Sequence, residues 1–111
     1  MDDLSNSLTQ HKLMFQWIAR DTRKRQKKVS ATDYFLENDI EHIPFICDYI
    51  CDYVFRNHQC NCHYCPVKWP QSSNTHYKSP CMNSVYGQWL LETDWQKAAL
   101  LAEELTKLGG V

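Results

Sequence analysis

The sequence predicts a small all-α domain, and three observations support this fold class. Apolar residues recur at helical spacing near both ends of the chain, over residues 4–19 and 94–108. Only three of the 111 residues are glycine, and two of these are the terminal pair at positions 109 and 110. Regular alternation of Val, Ile and Thr, which is typical of strands, is rare. A chain of this length is sufficient for one domain, which we expect to span residues 1–111.

The first and last predicted helices have the clearest apolar faces. Residues 4–19 carry an apolar stripe formed by Leu4, Leu8, His11, Phe15 and Ile18. Residues 94–108 follow Thr93-Asp-Trp-Gln96, which matches a capping box. The apolar face of this last helix is formed by Ala98, Leu101, Ala102, Leu105 and Leu108. Because each helix has one apolar face to bury, we expect the two to pack together.

Two shorter helices are predicted between them. Ser30-Ala-Thr-Asp33 resembles a capping box, with Asp where Glu or Gln is usual, so a helix is expected over residues 31–38. Pro44 suits the first position of a helix, where its missing N–H costs nothing, and the apolar pattern continues to about residue 55.

A basic segment, residues 20–28, follows the first predicted helix. It contains half of all Lys and Arg in the chain, namely Arg20, Arg23, Lys24, Arg25, Lys27 and Lys28. It has no apolar periodicity, so we expect a loop or a frayed helix end. Clustered basic residues can bind phosphates, which makes the segment a candidate nucleic-acid-binding site. The alternative is a solvated linker between two helices.

Residues 56–84 are predicted to be an irregular central loop. They contain three prolines and four of the six cysteines, without a helical pattern. A loop of nearly thirty residues inside a small domain needs something to organise it. The N-terminus lacks the basic start and apolar stretch of a secretion signal, and no apolar run is long enough to span a bilayer. In the cytoplasmic location that we therefore expect, cysteines are more often metal ligands than disulfides.

The sharpest motif in this loop is Cys62-His-Tyr-Cys65. A C-x-x-C turn places two thiolates about 2.3 Å from a shared zinc ion. The preferred ligand set is Cys51, Cys62, Cys65 and Cys81. Four protein ligands leave no open position for water, so the predicted Zn²⁺ site is structural and not catalytic.

Other residues compete for places in this set. Cys47 lies one helical turn before Cys51 in the third predicted helix, so it is the alternative helix ligand. It is also a candidate for a buried apolar cysteine. Cys60 lies only two residues from Cys62 and is left out. The histidine alternatives to a cysteine in this set are His58, His63 and, as the preferred one, His76.

The order of several motifs resembles that of small cysteine-containing proteins encoded by tailed phages and prophages. The cues run over residues 13–108 and are Trp17-Ile-Ala19, a Lys-rich stretch, Asp33-Tyr-Phe35, Cys51-Asp-Tyr53, Cys62-x-x-Cys65-Pro-x-x-Trp69, Cys81 and Tyr86-Gly-x-Trp89. That family tends to have a C-x-x-C before its acidic-Tyr pair, whereas this chain has Cys47-x-x-x-Cys51. The resemblance implies a phage-encoded protein acting in a bacterial cytoplasm, and it implies no activity.

We therefore expect a non-enzymatic protein that binds and modulates a host protein. Signatures of zinc deaminases, metalloproteases, P-loop enzymes and serine hydrolases do not occur in the sequence. The second hypothesis is a nucleic-acid-binding accessory protein that uses the basic segment. The third is a thiol oxidoreductase at Cys62 and Cys65, although the strand that usually precedes such a motif is not predicted. No membrane partner is expected, and the oligomeric state is not predicted.

Replacing a zinc thiolate should unfold the protein, because the binding energy of a structural zinc is folding energy. We expect Cys62→Ser or Cys65→Ser to lose both zinc and helical circular dichroism, in protein purified without chelator. Cys60→Ser is the matched control and should retain both. Full zinc content in the Cys62→Ser and Cys65→Ser proteins would contradict the predicted ligand set.

Overall fold

The computed structural model describes residues 3–40, 49–58 and 84–108. Within these ranges the chain forms five α-helices and no strand, which confirms the helical class for this part of the chain. The helices are α1 (Asp3–Arg25), α2 (Ala31–Glu37), α3 (Tyr49–His58), α4 (Val85–Leu91) and α5 (Trp95–Leu108). Most of the predicted central loop, residues 59–83, lies outside the described residues.

Helix α1 is longer than predicted, because it continues through the first part of the basic segment to Arg25. The prediction of a loop or frayed end is therefore wrong for residues 20–25. The buried face continues here with polar residues, Asp21 and Thr22, which an apolar pattern does not reveal. Thr22 Oγ1 accepts a hydrogen bond of 3.3 Å from the Val29 N–H. The helix ends before Gln26, whose φ of 52° is typical of a helix C-terminal stop.

Helix α2 begins with the predicted capping box. Ser30 Oγ accepts a hydrogen bond of 3.2 Å from the Asp33 N–H, and Asp33 Oδ2 accepts one of 2.9 Å from the Ser30 N–H. These bonds satisfy backbone donors that a helix start leaves without partners. Tyr34 and Phe35 are thereby held on the buried side of the helix.

The other helices differ from prediction in their bounds. Helix α3 ends at His58, three residues beyond the expected end at residue 55, and its predicted start at Pro44 lies outside the described residues. Helix α4 was not predicted. It is short and contains Gly87, and because glycine has a low helix propensity, the sequence gives little local signal for this helix. Its residues Tyr86 and Trp89 are nevertheless buried. Helix α5 is capped by Asp94 instead of Thr93, since the Gln96 N–H donates to Asp94 Oδ1 at 2.9 Å.

The core is built on the contact between α1 and α5, so the predicted packing of the first and last helices is confirmed. Helices α2 and α3 also contact α1, and α4 contacts α5. The fully buried core side chains include Met14, Phe15, Ile18, Val29, Ala98, Ala102 and Leu105. Each large apolar side chain buried in this way contributes about 1.5–3 kcal/mol.

Histidine and tryptophan residues complete this core to different extents. His11 is fully buried, and its Nε2 lies 2.7 Å from the Leu105 carbonyl oxygen, so its polar ring is accommodated by a hydrogen bond to α5. Trp89 is buried and contacts Phe15 edge-on, with 5.2 Å between the ring centres. Trp17 and Trp95 are only partly buried.

Candidate functional site

Most of the predicted zinc ligands and their alternatives lie outside the described residues. This holds for Cys47, Cys62, Cys65 and Cys81, and for Cys60, His63 and His76. Cys51 and His58 lie in helix α3, but the structure does not describe their side chains. Within residues 3–40, 49–58 and 84–108, no three His, Cys, Asp or Glu side chains are grouped as a metal site requires. The four-cysteine set therefore stays a prediction.

The structure does describe the two helices that flank the cysteine-rich segment, residues 59–83. Helix α3 packs against α1, with Val54 buried and the Tyr49 ring centre 5.9 Å from that of Phe35. Helix α4 follows the segment and places Tyr86 and Trp89 in the core. Both flanking helices are therefore attached to one core, so the segment starts and ends at defined positions.

Lys28 binds the C-terminal end of α4. Its Nζ donates to the carbonyl oxygens of Trp89, of Leu90 at 3.0 Å and of Glu92 at 2.9 Å. The ammonium also lies 4.9 Å from the centre of the Trp89 ring, in a cation–π contact. The last carbonyls of a helix lack intrahelical partners, and a cation there is favoured by the helix dipole. Lys28 thus caps α4 from another part of the chain.

This contact removes water from the Lys28 ammonium. Burial lowers the pKa of Lys28, while the nearby Glu92 carboxylate acts in the opposite direction. The side chain is only partly buried, so the ammonium retains some solvent. Its hydrogen bonds to three carbonyls replace the lost hydration, which accounts for a charged residue in this position.

Two arginines of the basic segment also bind groups within the protein. Arg25 forms a two-pronged hydrogen bond with the Glu37 carboxylate, with 2.7 Å from Nη1 to Oε2, and its Cζ lies 5.5 Å from the centre of the Trp17 ring. Arg23 forms an ion pair with Glu103 of α5. Hydrogen bonds from these guanidinium groups lower the pKa of both glutamates.

Three of the six predicted nucleic-acid-binding residues, Arg23, Arg25 and Lys28, therefore bind groups within the protein. Arg25 and Lys28 tie α1 and its following turn to α2 and α4. Arg20, Lys24 and Lys27 are exposed to solvent. The sequence contains only one local signal for these internal roles, the i,i+4 pair of Asp21 and Arg25, which lie 3.5 Å apart.

A groove between α1 and α5 gathers further polar side chains. It has a volume of about 490 Å³ and is lined by Gln16, Ala19, Arg20, Arg23, Glu103, Thr106 and Lys107. Sequence reasoning did not identify Gln16, Thr106 and Lys107 as site residues, because the signal lies in the packing of two helices that are distant in sequence. The groove offers cationic and amide groups that suit an anionic ligand.

No protein-family model, curated protein or solved structure matches this chain. The resemblance to phage proteins therefore rests on the sequence motifs alone. None of the helices that the structure describes combines the length and the apolarity needed to cross a membrane.

Removing the ammonium of Lys28 should destabilise the protein by loosening α4. Lys28→Met keeps an apolar stem of similar length but leaves three carbonyls without their charged donor. We expect the free energy of unfolding to fall by about 1–2 kcal/mol in urea titrations, a value reduced for the partial exposure of the group. The control is Lys27→Met, which changes an exposed lysine and should have little effect. Equal losses in both variants would contradict the capping role.

Proposed function

We propose that this protein is a small helical module, with a structural zinc ion, that binds and modulates a protein of a bacterial host cell. The zinc ligands in this proposal are Cys62, Cys65, Cys81 and one cysteine of the α3 region, Cys51 or Cys47. The phage-like order of motifs supports a host-directed role, of the takeover or anti-defence type. A bacterial cytoplasm would keep the thiolates reduced and able to bind the metal.

The observation that carries the proposal is a pair of exposed leucines at the end of α4. Leu91 is 65% exposed and Leu90 is 40% exposed, directly after the buried Trp89. The core-bound Trp89 and the Lys28 cap hold the backbone of this helix end. Apolar side chains held on an ordered element are suited to the centre of a protein interface, because little conformational entropy is lost when a partner binds.

The proposed zinc ion would support this surface through the chain. Helix α4 starts directly after the cysteine-rich segment, with the ligand Cys81 three residues before Ser84. A zinc ion that joins Cys81 to the α3 region would shorten the free length of chain between two helices already packed on the core. It would therefore restrict the position from which α4 begins. In this proposal the metal contributes structure, and the helices contribute the binding surface.

The experiment compares capture of host proteins from a bacterial lysate by three tagged versions of the full chain. The wild-type protein should retain a specific partner that Leu91→Glu does not, because a carboxylate cannot be buried in an apolar contact without cost. Leu36→Glu is the matched control, since Leu36 of α2 is similarly exposed at 70%, and it should retain the partner.

Three results would contradict the proposal. Capture of no specific protein by the wild-type chain would remove the binding role. Loss of the partner from Leu91→Glu and Leu36→Glu alike would remove the surface at the end of α4. Turnover of a disulfide substrate without tightly held metal would instead favour the thiol oxidoreductase.

A further inference from the structure

Where the structure describes its side chains, the solvent-facing side of α1 carries positive charge without negative charge. Nine residues of this helix are exposed among those whose side-chain exposure the structure describes. Four of them are Lys12, Arg20, Arg23 and Lys24, and none is acidic. Among the residues of α1 whose side-chain exposure the structure describes, the one acid is Asp21, which is 8% exposed and whose Oδ2 lies 3.6 Å from Arg20 Nε. A chain with net charge −1 therefore has a local cationic face.

Helix α5 extends this face across the groove described above. Lys107 of α5 lines the groove together with Gln16, Arg20 and Arg23 of α1. Glu103 is the only carboxylate among the lining residues, and it already accepts a hydrogen bond from Arg23. Three cations and one paired carboxylate leave the groove positively charged. We call Lys12, Gln16, Arg20, Arg23, Lys24 and Lys107 the cationic face.

We propose that the cationic face binds the phosphate backbone of nucleic acid without regard to base sequence. A helix rises 1.5 Å per residue, so Lys12 and Lys24 lie about 18 Å apart along the axis, enough to follow several consecutive phosphates. The planar guanidinium of Arg20 matches the geometry of a phosphate group, and each neutralised phosphate releases bound counterions.

The composition of this face favours nucleic acid over an acidic protein partner. Leu13, at 48% exposure, is the only large apolar side chain exposed on the described part of α1. A stable protein interface usually needs a larger apolar centre than this. None of the residues that line the groove is aromatic, so bases have no stacking platform there. Phosphates are the groups that the face can recognise.

The proposed site differs from the one that the sequence alone predicts. Arg25 and Lys28 are outside it, because they are only partly exposed and their charged groups bind Glu37 and the end of α4. Arg23 also pairs with a carboxylate, that of Glu103, but it remains exposed and lines the groove. Lys12, Gln16 and Lys107 are added from positions outside the basic segment. The site is also distinct from Leu90 and Leu91, so this inference does not depend on the proposed binding of a host protein.

The test measures binding of the full chain to short fluorescent DNA, single-stranded and duplex, by anisotropy at about 50 and 200 mM salt. The double variant Arg20→Gln, Lys107→Gln removes one Arg and one Lys from the cationic face. The control double variant Arg56→Gln, Lys97→Gln changes the net charge equally at other exposed positions. We expect the first variant to bind DNA at least about 10-fold more weakly. The slope of its log binding constant against log salt concentration should be shallower by about two, and the control should lose much less affinity.

Three results would overturn the proposal. Equal weakening in the two double variants would show that binding depends on net charge and not on this face. Polyglutamate bound as tightly as DNA of equal charge would identify an acidic protein as the partner. The third is the absence of salt-dependent DNA binding by the wild-type chain. This result is measured on the wild-type chain alone and does not depend on the folding of any variant. Circular dichroism of each variant checks that these exposed substitutions leave the helices intact.

Discussion

The packing of α1 against α5 is the interaction on which the described structure depends. Phe15 and Ile18 of α1 are fully buried, and so are the small Ala98 and Ala102 of α5. The two alanines add little side-chain volume at this contact, so the helices can approach closely and exclude water. Two polar contacts accompany the apolar one, from His11 to the Leu105 carbonyl and from Arg23 to Glu103. The first and last helices thus pack together, and the shorter helices contact one or the other of them.

The basic segment secures two of the shorter helices, α2 and α4. Arg25 reaches the carboxylate of Glu37 in α2, and Lys28 reaches the last carbonyls of α4. A cluster of charges that suggests a nucleic-acid-binding loop in the sequence therefore stabilises helix ends in the fold. The arginine–glutamate pair is exposed and contributes little alone, whereas the partly buried ammonium of Lys28 satisfies several carbonyls together. The exposed positive charge of α1 is that of Lys12, Arg20, Arg23 and Lys24.

Local signals were enough to predict α2 and α5. The Ser30–Asp33 hydrogen bonds form within one turn, and the face that includes Ala98 and Leu105 repeats at helical spacing. Nonlocal interactions were not predictable in this way. The end of α1 is buried through Thr22, whose hydroxyl is satisfied by Val29, and Lys28 meets α4 more than sixty residues later in the chain.

The candidate sites follow the same division between local and nonlocal information. The C-x-x-C motif is local, so the sequence indicates a metal-binding turn, but the remaining ligands depend on how separate segments meet. The cationic face depends on which side of α1 is covered by α5. An amphipathic pattern that stops at residue 19 does not reveal this, because Asp21 and Thr22 continue the buried side with polar groups.

Hydrogen exchange of the backbone amides is the most direct measurement of the central claim. If the α1–α5 contact supports the described fold, the amides of Ile18 and Ala102 should exchange only through global unfolding and should be the slowest in the chain. Their opening free energies should be equal and should match the value from denaturant unfolding. Faster exchange at Ile18 or Ala102 than at Phe35 in α2 would contradict the account, since α2 would then remain folded while the α1–α5 contact opened.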